Sequence, residues 1–156
     1  MKLFIKILIV ITIFFSNVFL FAQQKRNEEI KKVISIFFEG LHSGDTTKIK
    51  KTISQHLFMQ TAYINNEGVS VLKGVDVSIF LKSVASKKSD DIWFEKLLDY
   101  KIMIDSNIAS VWTPYEFYHN NKFSHCGSNS FQLFNNGENS KIIYLLDTRK
   151  HKDCYK

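Results

Sequence analysis

Apolar residues recur every three or four positions early in the chain and at alternate positions later. Ile30, Val33, Ile34, Phe37, Phe38 and Leu41 follow the first rhythm. That spacing puts them on one face of a helix. Asn27 is the expected N-cap, with Glu28 and Glu29 suited to the positive end of the helix dipole. Gly44 is the expected stop. Asp45-Thr46-Thr47 offers a new cap, and Ile49, Ile53 and Leu57 predict a second, shorter helix. Phe58 to Ile64 reads as a strand closing at Asn65-Asn66-Glu67-Gly68. Val77, Phe80, Leu81 and Val84 predict a third helix, with Lys82, Lys87 and Lys88 toward water.

After Asp91 the period shortens to two. Phe94, Leu98, Tyr100, Ile102 and Ile104, interleaved with Glu95, Asp99, Lys101 and Asp105, predict one half-buried strand. Asp105-Ser106-Asn107 is a turn. Ile108–Tyr118 and Phe123–Phe134 form a hairpin, Asn136-Gly137 turns again, and Lys141–Arg149 is the last strand. Helices gathered early and four consecutive antiparallel strands late imply an α+β fold, with three helices on one face of a curved, mainly antiparallel sheet.

The hairpin carries the unusual residues. Its turn, Asn120-Asn121, suits the positive φ values of a type I′ connection. The chain's only proline, Pro114, lies inside its first strand. Proline lacks a ladder donor and belongs at an edge or bulge, so a bulge at Thr113-Pro114 is expected, re-aiming the residues beyond it. Glu116 and Tyr118 then become the inward pair. Counting back from the turn sets Glu116 opposite His125 and Tyr118 opposite Phe123. Asn129, Phe131 and Leu133 continue that inner face, and Ser128, Ser130 and Gln132 face away. A glutamate and a histidine side by side in an interior favour each other's charged forms, which suits them to orient a ligand or move a proton. The rival reading is a surface contact of little energetic weight. Tyr63, Tyr100, Trp93 and Trp112 are candidates to wall the same pocket or to serve as plain core. Asp147 and Arg149, two apart at the end of the last strand, are read as a salt bridge closing the sheet.

The termini add a compartment. Lys2 and Lys6 precede an uncharged stretch, Ile7–Phe21, that ends at Ala22, the pattern of a secretory signal peptide over residues 1–22. An uncleaved anchor is the alternative, though the run is shorter than the roughly 20 residues a spanning helix needs. Residues 23–156 remain as one domain, and loss of Lys2 and Lys6 takes the formal charge from +6 to +4. The excess positive charge is spread out, apart from Arg149-Lys150-His151-Lys152, so no nucleic-acid partner is expected. Cys126 and Cys154 are expected to form a disulfide in an oxidising compartment, with free thiols as the alternative. No spacing fits a zinc site. No phosphate-binding glycine loop, nucleophile elbow or His-Glu-x-x-His motif is present.

The order of elements resembles the nuclear transport factor 2-like superfamily of cone-shaped folds. VWTPYEFY, Phe123-Ser124-His125-Cys126-Gly127, SFQLF and Asp147-Thr148-Arg149 resemble its exported bacterial branch labelled lumazine-binding. The resemblance spans the whole chain after the signal segment. It implies a periplasmic or secreted protein with a largely apolar cavity inside a cone and no cofactor. It also implies a homodimer through the outer sheet face, for which Tyr115, Phe117, Phe134, Ile143 and Leu145 are the expected contacts. Three functions follow. The first is binding of a small apolar or aromatic molecule, with Glu116, His125, Tyr118, Asn129, Tyr100 and Tyr63 as ligand-binding residues. The second is an enzyme of isomerase, dehydratase or cyclase type in the same pocket, and the third a structural dimer with a filled core. The resemblance assigns no catalytic residue.

Overall fold

The fold comes from a computed structural model that describes residues 2–154, with backbone alone for residues 2–20 and Ala22. Helix α1 runs Lys2–Ser43, α2 Thr46–Thr52 and α3 Val77–Ala85. The strands are β1 Ile53–Ile64, β2 Ser70–Val75, β3 Trp93–Leu97, β4 Lys101–Asp105, β5 Ile108–His119, β6 Lys122–Asn135 and β7 Ser140–Arg149. Helix α1 passes through Asn27, which is therefore not its cap, because upstream residues continue the helix. Of the expected signal segment, Phe21 alone has its side chain among the described residues, and it is exposed.

Local chemistry explains the other helix ends. Gly44 leaves α1 at φ 74°, where a side chain would be strained. The Asp45 carboxylate accepts the amides of Thr47 and Lys48 to start α2, and Asp76 does the same for Ser78 and Ile79 at α3. Helix α2 ends at Thr52. Ile53 and Leu57, expected to extend it, belong to β1, where Ile53, Phe58, Thr61, Tyr63 and Ile64 are residue types that suit a pleated strand.

The seven strands form one sheet in the order β2-β1-β7-β6-β5-β3, with β4 also paired to β5. All pairings are antiparallel except β1 with β7. This is the expected α+β architecture. Ile34, Phe37 and Phe38 of α1 pack with Ile49 and Val84 against Val111, Phe131, Leu133 and Ile142 of the sheet. The Phe37 and Phe38 rings both meet Phe131 edge-on, near 6 Å.

Two features of the late strands differ from the pattern-based expectation. The strand after Asp91 is not continuous: β3 and β4 are separated at Leu98-Asp99-Tyr100 and pair with opposite halves of β5. Pro114 lies opposite that gap. Its carbonyl accepts the Leu98 amide at 2.9 Å, so its nitrogen faces the same interrupted edge, where a missing N–H disturbs the ladder least. Pro114 pairs regularly with Ser128, and no bulge occurs there. The bulge lies at Ser124, between the pairs Tyr118–Phe123 and Phe117–His125. Consequently Glu116 sits opposite Cys126 rather than His125, and β5 keeps one phase from Ala109 through His119.

The disulfide joins Cys126 and Cys154. Cys126 points to the outer face, yet it is fully buried. The C-terminal segment covers it, held by paired backbone hydrogen bonds between Cys126 and Lys150.

Candidate functional site

Because β5 does not change phase, its inward residues are Thr113, Tyr115, Phe117 and His119, and their partners decide what meets them. Reading across the sheet, Thr113 lies beside Asn129, Asn129 beside Asp147, and Asp147 beside Thr61. The preceding row is apolar, made of Val111, Phe131, Leu145 and Met59. Four strands thus place one polar row directly beside the hydrophobic core. The Thr61 and Thr113 hydroxyls are buried there without a hydrogen-bond partner, a costly arrangement for ordinary core.

The row borders a cavity of about 590 Å³. Phe37, Phe38 and Leu41 of α1, Phe80 of α3, and Met59 and Leu145 of the sheet form its apolar side. Glu95, Asn129, Asp147, Arg149 and His125 form the polar side. Tyr115 and Phe117 stand between them, with Trp93, Asp91 and His119 also on the lining.

Glu95 is the group the sequence reading missed. Alternation with Phe94 and Leu98 had placed it outward. In β3 the phase is reversed: Trp93, Glu95 and Leu97 point inward beside His119, Phe117 and Tyr115, while Phe94 and Lys96 are exposed. The Glu95 amide, on the sheet edge, donates to His42 Nε2 at 2.9 Å, tying β3 to the end of α1. Its carboxyl accepts from Asn129 Nδ2 at 2.7 Å. Residue 95 as a whole is only partly covered, but protein atoms crowd its carboxyl group. That desolvation pushes the carboxyl up to about 7, with nearby Asp147 adding to the rise while Asn129 and Arg149 oppose it.

The neighbouring acid is treated differently. Asp147 accepts from Arg149 Nε at 2.7 Å and lies 3.5 Å from the Tyr115 hydroxyl. So Asp147 and Arg149 do form a pair, as the sequence suggested, but it lines the cavity. Tyr115 reaches it by lying across Gly127 and donating to the Thr148 carbonyl at 2.9 Å. A Cβ at residue 127 would stand 1.7 Å from that carbonyl oxygen and 2.9 Å from the Tyr115 ring, so only glycine admits this crossing.

His125 stacks on Phe117, with ring centres 4.9 Å apart. Burial first, and then the Arg149 charge, lower it to about 4, so it is neutral near pH 7 and carries no ion pair to Glu116. Its Nδ1 lies 3.1 Å from Ser124 Oγ. His151 of the C-terminal segment approaches within 6.0 Å, ring to ring.

Of the six expected ligand residues, His125 and Asn129 line the cavity. Glu116 and Tyr118 are on the outer face, where Tyr118 donates to Glu116 at 2.9 Å and Lys96 lies 3.6 Å from it. Tyr100 packs against the core beyond the β3–β4 break, and Tyr63 pairs with Val71 and Arg149 along β1; neither is on the cavity lining. Trp93 lines it, whereas Trp112 is exposed on the outer face. The expected dimer contacts divide likewise: Tyr115, Phe117 and Leu145 face the cavity, and Phe134 and Ile143 are exposed. Among the described residues, no group of three histidine, cysteine, aspartate or glutamate side chains converges as a metal site.

No family model and no curated protein matches the chain. Solved structures do. An NTF2-like protein of unknown function from Shewanella baltica superposes with a TM-score of 0.59 at 11% identity, covering 82% of this chain and 96% of that one. An NTF2-like protein from Cytophaga hutchinsonii gives 0.62 at 13% identity, covering 80% and 98%. The chain has the NTF2-like fold. A further structure with this fold, provisionally named a scytalone dehydratase, from Novosphingobium aromaticivorans, gives 0.64 at 10% identity, covering 86% and 90%. At these identities the likeness concerns the fold, and what a given NTF2-like cavity does rests on the residues inside it.

Proposed function

We propose that this NTF2-like chain is an exported protein that holds one small, mainly apolar or aromatic molecule in the cavity between α1, α3 and the sheet. The observation that carries the reading is the division of a 590 Å³ space into an apolar side of phenylalanines and a compact polar side of Glu95, Asn129, Asp147 and Arg149. Such sites take most of their affinity from apolar contact and their orientation from a few converging polar groups. The basic start, the apolar stretch after it and the disulfide support export to an oxidising compartment. Native mass spectrometry of protein purified from such a compartment tests it. A bound mass that is lost on denaturation is expected. A bare protein that also shows no melting shift with any small aromatic probe would defeat the proposal.

Glu95 favours a second reading, an acid–base enzyme of isomerase, dehydratase or cyclase type. A carboxyl titrating near 7 within an apolar cavity is suited to proton transfer at neutral pH. Turnover with a pH profile set by Glu95 and abolished in Glu95→Gln is the expected sign. Undiminished turnover in that variant would remove Glu95 from the chemistry. The open cavity argues against a filled-core structural dimer. Self-association remains a proposal, and Trp112, Phe134 and Ile143 are the outward residues that would serve it.

A further inference from the structure

The two acids of the polar wall are not equivalent. Asp147 has a cation, Arg149, at 2.7 Å. Glu95 accepts directly from the neutral amide of Asn129, and Arg149 acts on it as a charge without a salt bridge between them. The lining carries Asp91, Glu95 and Asp147 against Arg149 and against His119, which pairs with Asp91, although the chain as a whole carries a net charge of +6. Phe37, Phe38, Phe80, Trp93, Tyr115 and Phe117 surround the same space, with Phe37 and Phe80 stacked 6.1 Å apart.

We propose that the ligand is an organic cation, an aromatic or alkyl amine whose ammonium group pairs with Glu95 while its apolar body lies among the phenylalanines. This rests on the reading of the cavity as a small-molecule site and names the charge of its occupant. An ammonium would give Glu95 a directly paired cation of its own, and the faces of aromatic rings attract cations. A carboxylic acid or phosphate would instead meet two carboxylates beside an arginine that is already paired.

The charge of Glu95 makes the idea measurable. The titratable groups on the elements around it are His42 from α1, Lys87 and Asp91 before β3, and Tyr115 and His119 from β5. His125 from β6 and Asp147 and Arg149 from β7 complete the set. His42 and His125 are both held below the ordinary histidine value by burial, so they stay neutral above pH 6.5. With Glu95 near 7, its ionised fraction rises from about 3% at pH 5.5 to about 97% at pH 8.5. An amine that requires the ionised form should therefore bind about 30-fold more tightly at the higher pH.

The experiment compares tryptamine, tryptophol and indole-3-acetate, which share a ring system and differ in charge, by calorimetry with the intact protein at pH 5.5 and 8.5. Tryptamine is expected to bind most tightly, to strengthen by about 30-fold with pH, and to lose both advantages in Glu95→Gln. Tryptophol is expected to bind weakly with little pH dependence. Tighter binding of tryptophol or indole-3-acetate, or a tryptamine affinity indifferent to pH and to Glu95→Gln, would overturn the cation while leaving a small-molecule site in place. If none of the three binds, the cation proposal fails together with the site.

Discussion

Replacing Glu95 with glutamine keeps the shape of the side chain and an acceptor for Asn129 but removes the ionisation. The consequence follows from the raised carboxyl. An ordinary glutamate titrates at 4.5, and burial moves Glu95 to about 7. At about 1.4 kcal/mol per pH unit of displacement, the folded state of the native protein loses roughly 3 kcal/mol when Glu95 is forced to ionise. The sign is set by proton uptake. Between pH 4.5 and 7 the folded chain binds the proton more strongly than the unfolded chain, so stability is fully present below 4.5 and falls as pH rises through 7. Glu95→Gln has no such loss. The variant should match the native protein near pH 4 and exceed it by roughly 3 kcal/mol above pH 8, on the order of 10 °C in melting temperature for a domain of this size. Thermal melts of both proteins from pH 4 to 9 measure it, and taking their difference cancels other titrating groups to first order. A difference that stays constant across the range would refute the crowded carboxyl.

Three further outcomes test other parts of the structure. His125, lowered to about 4, contributes stability above pH 6.5 that is lost as pH falls toward 4; His125→Phe should flatten that acid limb in a urea-unfolding series, and an unchanged limb would contradict its burial. Reduction of Cys126–Cys154, or the double serine variant, opens a loop spanning 28 residues and should lower stability by roughly 3 to 4 kcal/mol, read from denaturant midpoints with and without dithiothreitol. Gly127→Ala should destabilise by at least about 3 kcal/mol, because its methyl group would meet backbone rather than a yielding side chain; a near-native melt would mean Tyr115 does not need that crossing.

Much of the fold was legible because it rests on local rules. The helical spacing from Ile30 to Leu41, the Asp45 cap and the Asn120-Asn121 turn act within a few residues, and the positive φ values of both asparagines, 50° and 62°, match the turn expected of them. The disulfide was legible from two cysteines in a chain that begins like a secretory signal peptide. Strand β2 was not, because Ser70–Val75 shows little alternation and has its side chains largely exposed. The site was legible only in part, since phase is not a local property. His125 and Asn129 lie on strands whose inner face the apolar residues mark. Glu95 was hidden by the break at Leu98-Asp99-Tyr100, which reverses β3 relative to β4. Glu116 was misplaced because proline was assigned the bulge that Ser124 makes. The parallel contact of β1 with β7 joins residues more than 80 positions apart, and no short-range pattern announces it.

The extra residue at Ser124 also bears on how such a cavity changes over evolutionary time. Without it, Tyr118 would still pair with Phe123, Phe117 with His125 and Glu116 with Cys126, because the residues on either side of Ser124 already stand in register. A one-codon deletion at this point therefore removes the kink and leaves the imidazole in the cavity and the cysteine beside its C-terminal partner. Lineages sharing this fold can differ by that one residue and keep the same interior, and comparing them column by column without a gap here would align groups that face opposite sides of the sheet.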